Sequence, residues 1–183
     1  MLEERIVRFC APTLAGIKTG SLFNTCGIPD EVVRGEVDAL KDILSAKGLG
    51  IRLFTKPGRK PLIYVYRKTS LQYDLAQFET KAFLKSYGYE TYDIEQALDR
   101  LGERIEACDI FPHEVGVFLS YPLDDVKNFI EKGGQSCKCS GYWCVYTAED
   151  KARWCFNRYD ICTSCYKRLY QRGHRLSDLA VVR

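Results

Sequence analysis

The run Val115-Gly-Val-Phe-Leu-Ser120 constrains this chain most. It is almost continuously apolar and is bounded by Pro112-His113-Glu114 on one side and Tyr121-Pro122 on the other. A short apolar run with no polar face suits a central strand covered on both sides. A chain with such a strand needs layers of helix above and below it. The segment also carries His113, one of two histidines, and leads into a helix opened by Pro122. Asp124 and Asp125 then sit at the positive end of that helix.

The flanking patterns supply the layers. Pro12 suits the first turn of a short helix after Cys10. Pro29-Asp-Glu31 opens a helix with Val33, Val37, Leu40 and Leu44 on one stripe, stopped by Gly48 and Gly50. Ile51-Arg-Leu-Phe-Thr55 and Leu62-Ile-Tyr-Val-Tyr66 are β-rich, and the Pro/Gly turn between them makes a hairpin. A helix follows from Ser70 to Gly88, with Leu71, Leu75, Phe78 and Ala82 on one face. Asp93 reads as an N-cap with Gln96 completing a capping box. The stripe Ile94, Leu98, Leu101, Ile105, Cys108 follows it. Gly133-Gly134 stops the Pro122 helix, Tyr142 to Tyr146 reads as a strand, and Glu149 to Gln171 as a long final helix. The expectation is an α+β fold of mixed layers in one domain over residues 1–183. N-terminal helices and a hairpin come first, then a β-α-β-α half.

A chain of 183 residues should bury roughly 70% of its unfolded surface, so it folds without disulfides or metal. The net charge of +3 argues against nucleic acid as a partner. Residues 151–183, however, hold eight Lys/Arg against two acidic residues. That basic helix could meet an acidic or phosphate-bearing partner, although a solvated face explains it as well. Met-Leu-Glu-Glu-Arg5 lacks the basic start of a signal peptide, and no apolar run is long enough to span a bilayer. The reading is a cytoplasmic protein with no membrane partner. Nine cysteines in a reducing compartment are thiols or ligands rather than disulfides.

Two constellations could carry chemistry. Cys10, His113 and Arg67 could form a cysteine hydrolase or transferase. Cys10 at a helix N-terminus near an imidazole would be an activated thiolate, and Arg67 would hold an anion. The plainer reading is a half-buried thiol and a loop histidine. Cys139 with Cys162 and Cys165 could ligate zinc or an iron–sulfur cluster. But 162 and 165 fall within a helix, where Ala152, Cys155, Tyr159, Cys162, Tyr166 and Leu169 form one stripe. That favours Cys155 and Cys162 as core thiols packed on the sheet, so no metal is favoured and no cofactor is assigned. Phosphate-loop, His-Glu-x-x-His and Gly-x-Ser-x-Gly motifs are missing from the sequence.

Several stretches, in order, carry a resemblance. They are Cys10-Ala-Pro-Thr-Leu-Ala-Gly-Ile-Lys18, Leu62-Ile-Tyr-Val-Tyr-Arg67, Phe111 through Val126, Cys139-Ser-Gly-Tyr-Trp-Cys-Val-Tyr146, Tyr159-Asp-Ile-Cys162 and Tyr170-Gln-Arg-Gly173. Together they make the chain similar, over almost its whole length, to the bacterial domain-of-unknown-function family 3793. Cys144 departs from the pattern, where the resemblance implies Lys, and this counts against Cys144 as a functional group. The resemblance implies a protein mainly of anaerobic bacteria, in the company of iron-supply and flavodoxin proteins. It brings no activity. The leading expectation is therefore a small binding protein connected with iron or redox physiology, ahead of the cysteine enzyme and the cysteine-ligated metal protein.

Overall fold

The computed structural model describes residues 1–90 and 93–182. In chain order the elements are α1 (Leu2–Leu14), β1 (Gly20–Asn24), α2 (Asp30–Ser45), β2 (Leu49–Phe54) and β3 (Leu62–Arg67). Next come α3 (Lys68–Ala76), α4 (Phe78–Lys85), α5 (Ile94–Ala107), α6 (Val115–Phe118) and α7 (Leu123–Glu131). The chain closes with β4 (Cys139–Ser140), β5 (Cys144–Val145), α8 (Glu149–Gln171) and α9 (Leu176–Leu179). The fold is α+β.

β1, β3 and β2 form an antiparallel sheet in that order, with Val65 facing Ser21 on one side and Ile51 on the other. Alternation along β3 sorts the core. Ile63 and Val65 pack with Leu2, Ile6, Val7 and Leu14 of α1 and Val33, Val37 and Leu44 of α2. Tyr64 and Tyr66 pack with Leu98 and Leu101 of α5 and Val117 and Phe118 of α6. β3 is thus the strand covered on both faces.

The Val115–Ser120 run is not that strand. It forms the short helix α6 and a turn, and this is the main correction to the sequence reading. An apolar run with no period has no preferred geometry of its own. Here Tyr121 N–H bonds back to Gly116 O at 2.9 Å, and Ser120 takes the left-handed conformation at φ 56. Gly116 is needed, since a Cβ there would lie 2.7 Å from Val126 Cγ2. The β-α-β-α half is therefore helices α6 and α7, the two-stranded ribbon β4–β5 and helix α8.

Other boundaries moved for local reasons. Pro12 lies in the last turn of α1 rather than at a helix start. The expected helix from Ser70 breaks at Gln77, whose ψ is 136, so Phe78 is turned outward and is 85% exposed. Strand β1 has no counterpart in the sequence reading. The hairpin β2–β3 and the stripe of α2 stand as expected. So do the Asp93 cap, which accepts from Glu95 N and Gln96 N, and the bounds of α8. α8 packs chiefly along α1 rather than on the sheet. Among the described residues no helix is long and apolar enough to cross a membrane.

Candidate functional site

Cys10 is the ninth residue of α1 and is 0% exposed. Burial pushes its thiol well above the ordinary value, against smaller opposing effects of Lys18 and a hydrogen bond with Ser21. An exposed, activated thiolate at a helix N-terminus is the opposite of this. His113 is exposed and meets the Phe129 ring edge-on at 4.9 Å. Its neighbour Glu114 turns inward to pair with Arg104. No hydrogen bond, ion pair or ring contact among the described residues joins Cys10 to His113.

Arg67 is 2% exposed and serves as a strut. Its Nε donates to Thr13 O at 2.8 Å and one terminal nitrogen donates to Leu14 O. The other reaches Val181 O at 2.7 Å and Lys47 O at 3.4 Å. It therefore caps the C-terminal carbonyls of α1, where a cation also complements the helix dipole. Among the described residues its nitrogens are turned to carbonyl oxygens.

The cysteine set is dispersed as well. Cys139 lies on the ribbon and Cys162 and Cys165 on α8. Among the described residues no three His, Cys, Asp or Glu side chains stand together as metal ligands. Cys155 and Cys162 are only half-buried, contrary to the expectation of core thiols on the sheet. Burial still pushes the Cys162 thiol up to about 11, with Cys165 adding to it. The basic residues Lys151, Arg158, Lys167 and Arg168 of α8, and Arg172 at its C-cap, are exposed.

The motif that begins at Cys10 delivers a different group. Its last residue, Lys18, is only 8% exposed. Ile17 N and Lys18 N both bond to Pro12 O, and Gly16 takes φ 72. This tight turn throws the lysine inward between α1 and β1. Its ammonium lies 5.3 Å from the ring centre of Tyr121, 5.8 Å from Tyr142 and 6.0 Å from Tyr159. Three tyrosines from three separate segments thus enclose one cation, a favourable arrangement for a charge held out of water. No hydrogen bond or ion pair among the described residues reaches Lys18 Nζ. Burial lowers its pKa to about 8. Burial likewise pushes the Tyr121, Tyr142 and Tyr159 hydroxyls up to about 12.

Tyr121 and Tyr142 also wall a cavity of about 330 Å³ between α6, α7 and the ribbon. Phe111, His113, Phe129 and Trp143 supply further rings. Trp143 packs against Tyr121 at 5.2 Å and Phe156 at 4.5 Å. One buried carboxylate holds the wall in place. Asp125 accepts from Trp143 Nε1, Tyr146 N, Thr147 N and Thr147 Oγ1, each at 2.9 Å. The ribbon itself has only two residue pairs, so it depends on this anchor. Asp125→Ala should cost about 3 kcal/mol, because it strands several buried donors. Urea denaturation should show the loss and Trp143 emission should shift to the red. A variant within about 0.5 kcal/mol of the parent would refute that role.

Sequence reasoning missed Lys18, Tyr121, Tyr142 and Tyr159 as a group. Each lies inside one of the stretches that carry the family resemblance, which is the signal that could have found them. A cavity walled by rings, two of which also face a caged lysine, is what the α+β frame builds here. The chain belongs to the family described as "Protein of unknown function (DUF3793)", which matches residues 6–180. No curated protein and no solved structure matches it.

Proposed function

We propose that this is a small binding protein whose ligand is a flat, ring-bearing molecule. One observation carries the reading: the cavity of about 330 Å³ walled by Phe111, His113, Tyr121, Phe129, Tyr142 and Trp143. Its volume falls at the small end of ligand sites, about 300–1,000 Å³, and rings favour stacking on rings. The buried thiol of Cys10 lends no support to the cysteine enzyme. All nine cysteines are free thiols, which supports work in a reducing compartment such as a bacterial cytoplasm. The connection with iron or redox physiology implied by the resemblance would lie in the identity of the ligand.

The test uses Trp154→Phe protein, so that Trp143 is the sole indole. Titration with the neutral fluor N-phenyl-1-naphthylamine should quench Trp143 saturably at one site per chain. Phe129→Ala should weaken that binding by roughly tenfold, the scale of about 1.4 kcal/mol for a lost aromatic contact. Non-saturable quenching, or affinity indifferent to Phe129, would remove the cavity as the site.

A further inference from the structure

We infer that the occupant of the ring-walled cavity carries an oxyanion group, recognised through the buried ammonium of Lys18. The inference rests on the cavity being the binding site and names the chemical class of what it takes.

A buried lysine ordinarily stands beside a carboxylate, because an isolated ammonium out of water is costly. Among the described residues Lys18 has no such partner. The group nearest in charge terms is the Cys10 thiol, and burial keeps that thiol protonated and neutral at ordinary pH. Tyr121, Tyr142 and Tyr159 are neutral there too. The tyrosine faces attract the cation but do not neutralise it. The cage is therefore left with one uncompensated positive charge.

Two of its three rings, Tyr121 and Tyr142, are also walls of the cavity. The ammonium thus stands 5.3 Å and 5.8 Å from the centres of two rings that line the ligand space. Across such low-dielectric material a unit charge acts over several ångströms, whether or not the two ions touch. Asp125 is the carboxylate that lines the cavity. Its oxygens are occupied by Trp143, Tyr146 and Thr147 donors, which disperse its charge into the ribbon. His113, also on the lining, adds a donor and no negative charge. A ring-bearing acid fits this field better than its neutral analogue.

Two probes with one skeleton test it: 1-anilinonaphthalene-8-sulfonate, an anion, and neutral N-phenyl-1-naphthylamine. Each is titrated into Trp154→Phe protein at pH 7, followed by Trp143 quenching, and again into the added variants Lys18→Met and Lys18→Arg. The parent should bind the sulfonate at least about tenfold tighter than the amine. Lys18→Met should abolish that preference and leave the neutral probe within about twofold, and Lys18→Arg should keep most of it. Urea midpoints confirm that both variants are folded. If Lys18→Met retains the preference, the anion is being read elsewhere, for instance by the basic face of α8, and the inference fails. Equal affinities for the two probes in the parent overturn it as well, while leaving the cavity reading intact. Failure of both probes to bind saturably would instead sink the cavity reading and the inference with it.

Discussion

Arg67→Met is expected to destabilise the protein by about 4 kcal/mol or more. The guanidinium ties four carbonyl oxygens, those of Thr13, Leu14, Lys47 and Val181. They belong to the end of α1, the turn after α2 and the chain's last residues, so one side chain joins three parts of the fold. Hydrogen bonds from a charged donor contribute about 1.5–3 kcal/mol each and do not add fully. Removing them leaves buried acceptors unmatched and α1 without its cap. Arg67→Lys should recover little, because an ammonium cannot reproduce the planar fork. Urea unfolding of both variants measures this. A loss under about 1.5 kcal/mol in Arg67→Met would show that the carbonyls find water or other donors.

Lys18→Met should act in the opposite direction and stabilise the protein by about 3 kcal/mol at pH 7. The figure follows from the fall of the lysine pKa from 10.5 to about 8 on folding, at about 1.4 kcal/mol per unit. A substitution that strengthens the fold by emptying a cage is the behaviour expected of a residue held for function. The advantage should depend on pH. The folded protein loses the lysine proton near pH 8 and the unfolded chain near 10.5. Between these values the unfolded state binds more protons, so the lysine's cost fades as pH rises. Cys10 and the three cage tyrosines act oppositely. Their folded-state values are raised, so their contribution is lost above about pH 9 to 10, where the unfolded chain ionises. Because both proteins share those groups, the difference between parent and Lys18→Met isolates the lysine. It should be largest below pH 8 and shrink steadily toward pH 10. A constant difference across pH 7–10, or a destabilised variant, would show that Lys18 is not a buried charge at a cost.

The two residues show how burial reverses a sequence-level guess. Arg67 and Cys10 were candidates for chemistry because their residue types can hold anions or attack carbonyls. Both turn out to be frame. Arg67 closes the central strand and finds helix ends within reach, and Cys10 falls on the inward stripe of a helix that starts ten residues earlier than Pro12 suggests. Lys18, by contrast, follows Gly16 in a stretch where nothing local marks it for burial. Only the closing of that turn onto Pro12 O and the arrival of Tyr121, Tyr142 and Tyr159 from distant segments bury it.

What the sequence by itself determined is whatever depends on neighbours along the chain. The α2 stripe from Val33 to Leu44, the hairpin across residues 56–61, the Asp93 cap and the span of α8 all rest on periodicity, turn chemistry or capping within a few residues. The α+β class followed from their mixture. The tertiary structure decided the rest. Val115–Phe118 is apolar at every position, so nothing local chose between strand and helix. Its packing beneath Tyr64 and against Val126 chose helix. The pairing of β1 with β3, the break at Gln77 and the anchoring of the ribbon on Asp125 all depend on partners far away in sequence. So does the cage around Lys18, since a charge becomes a site only when three remote rings exclude water from it.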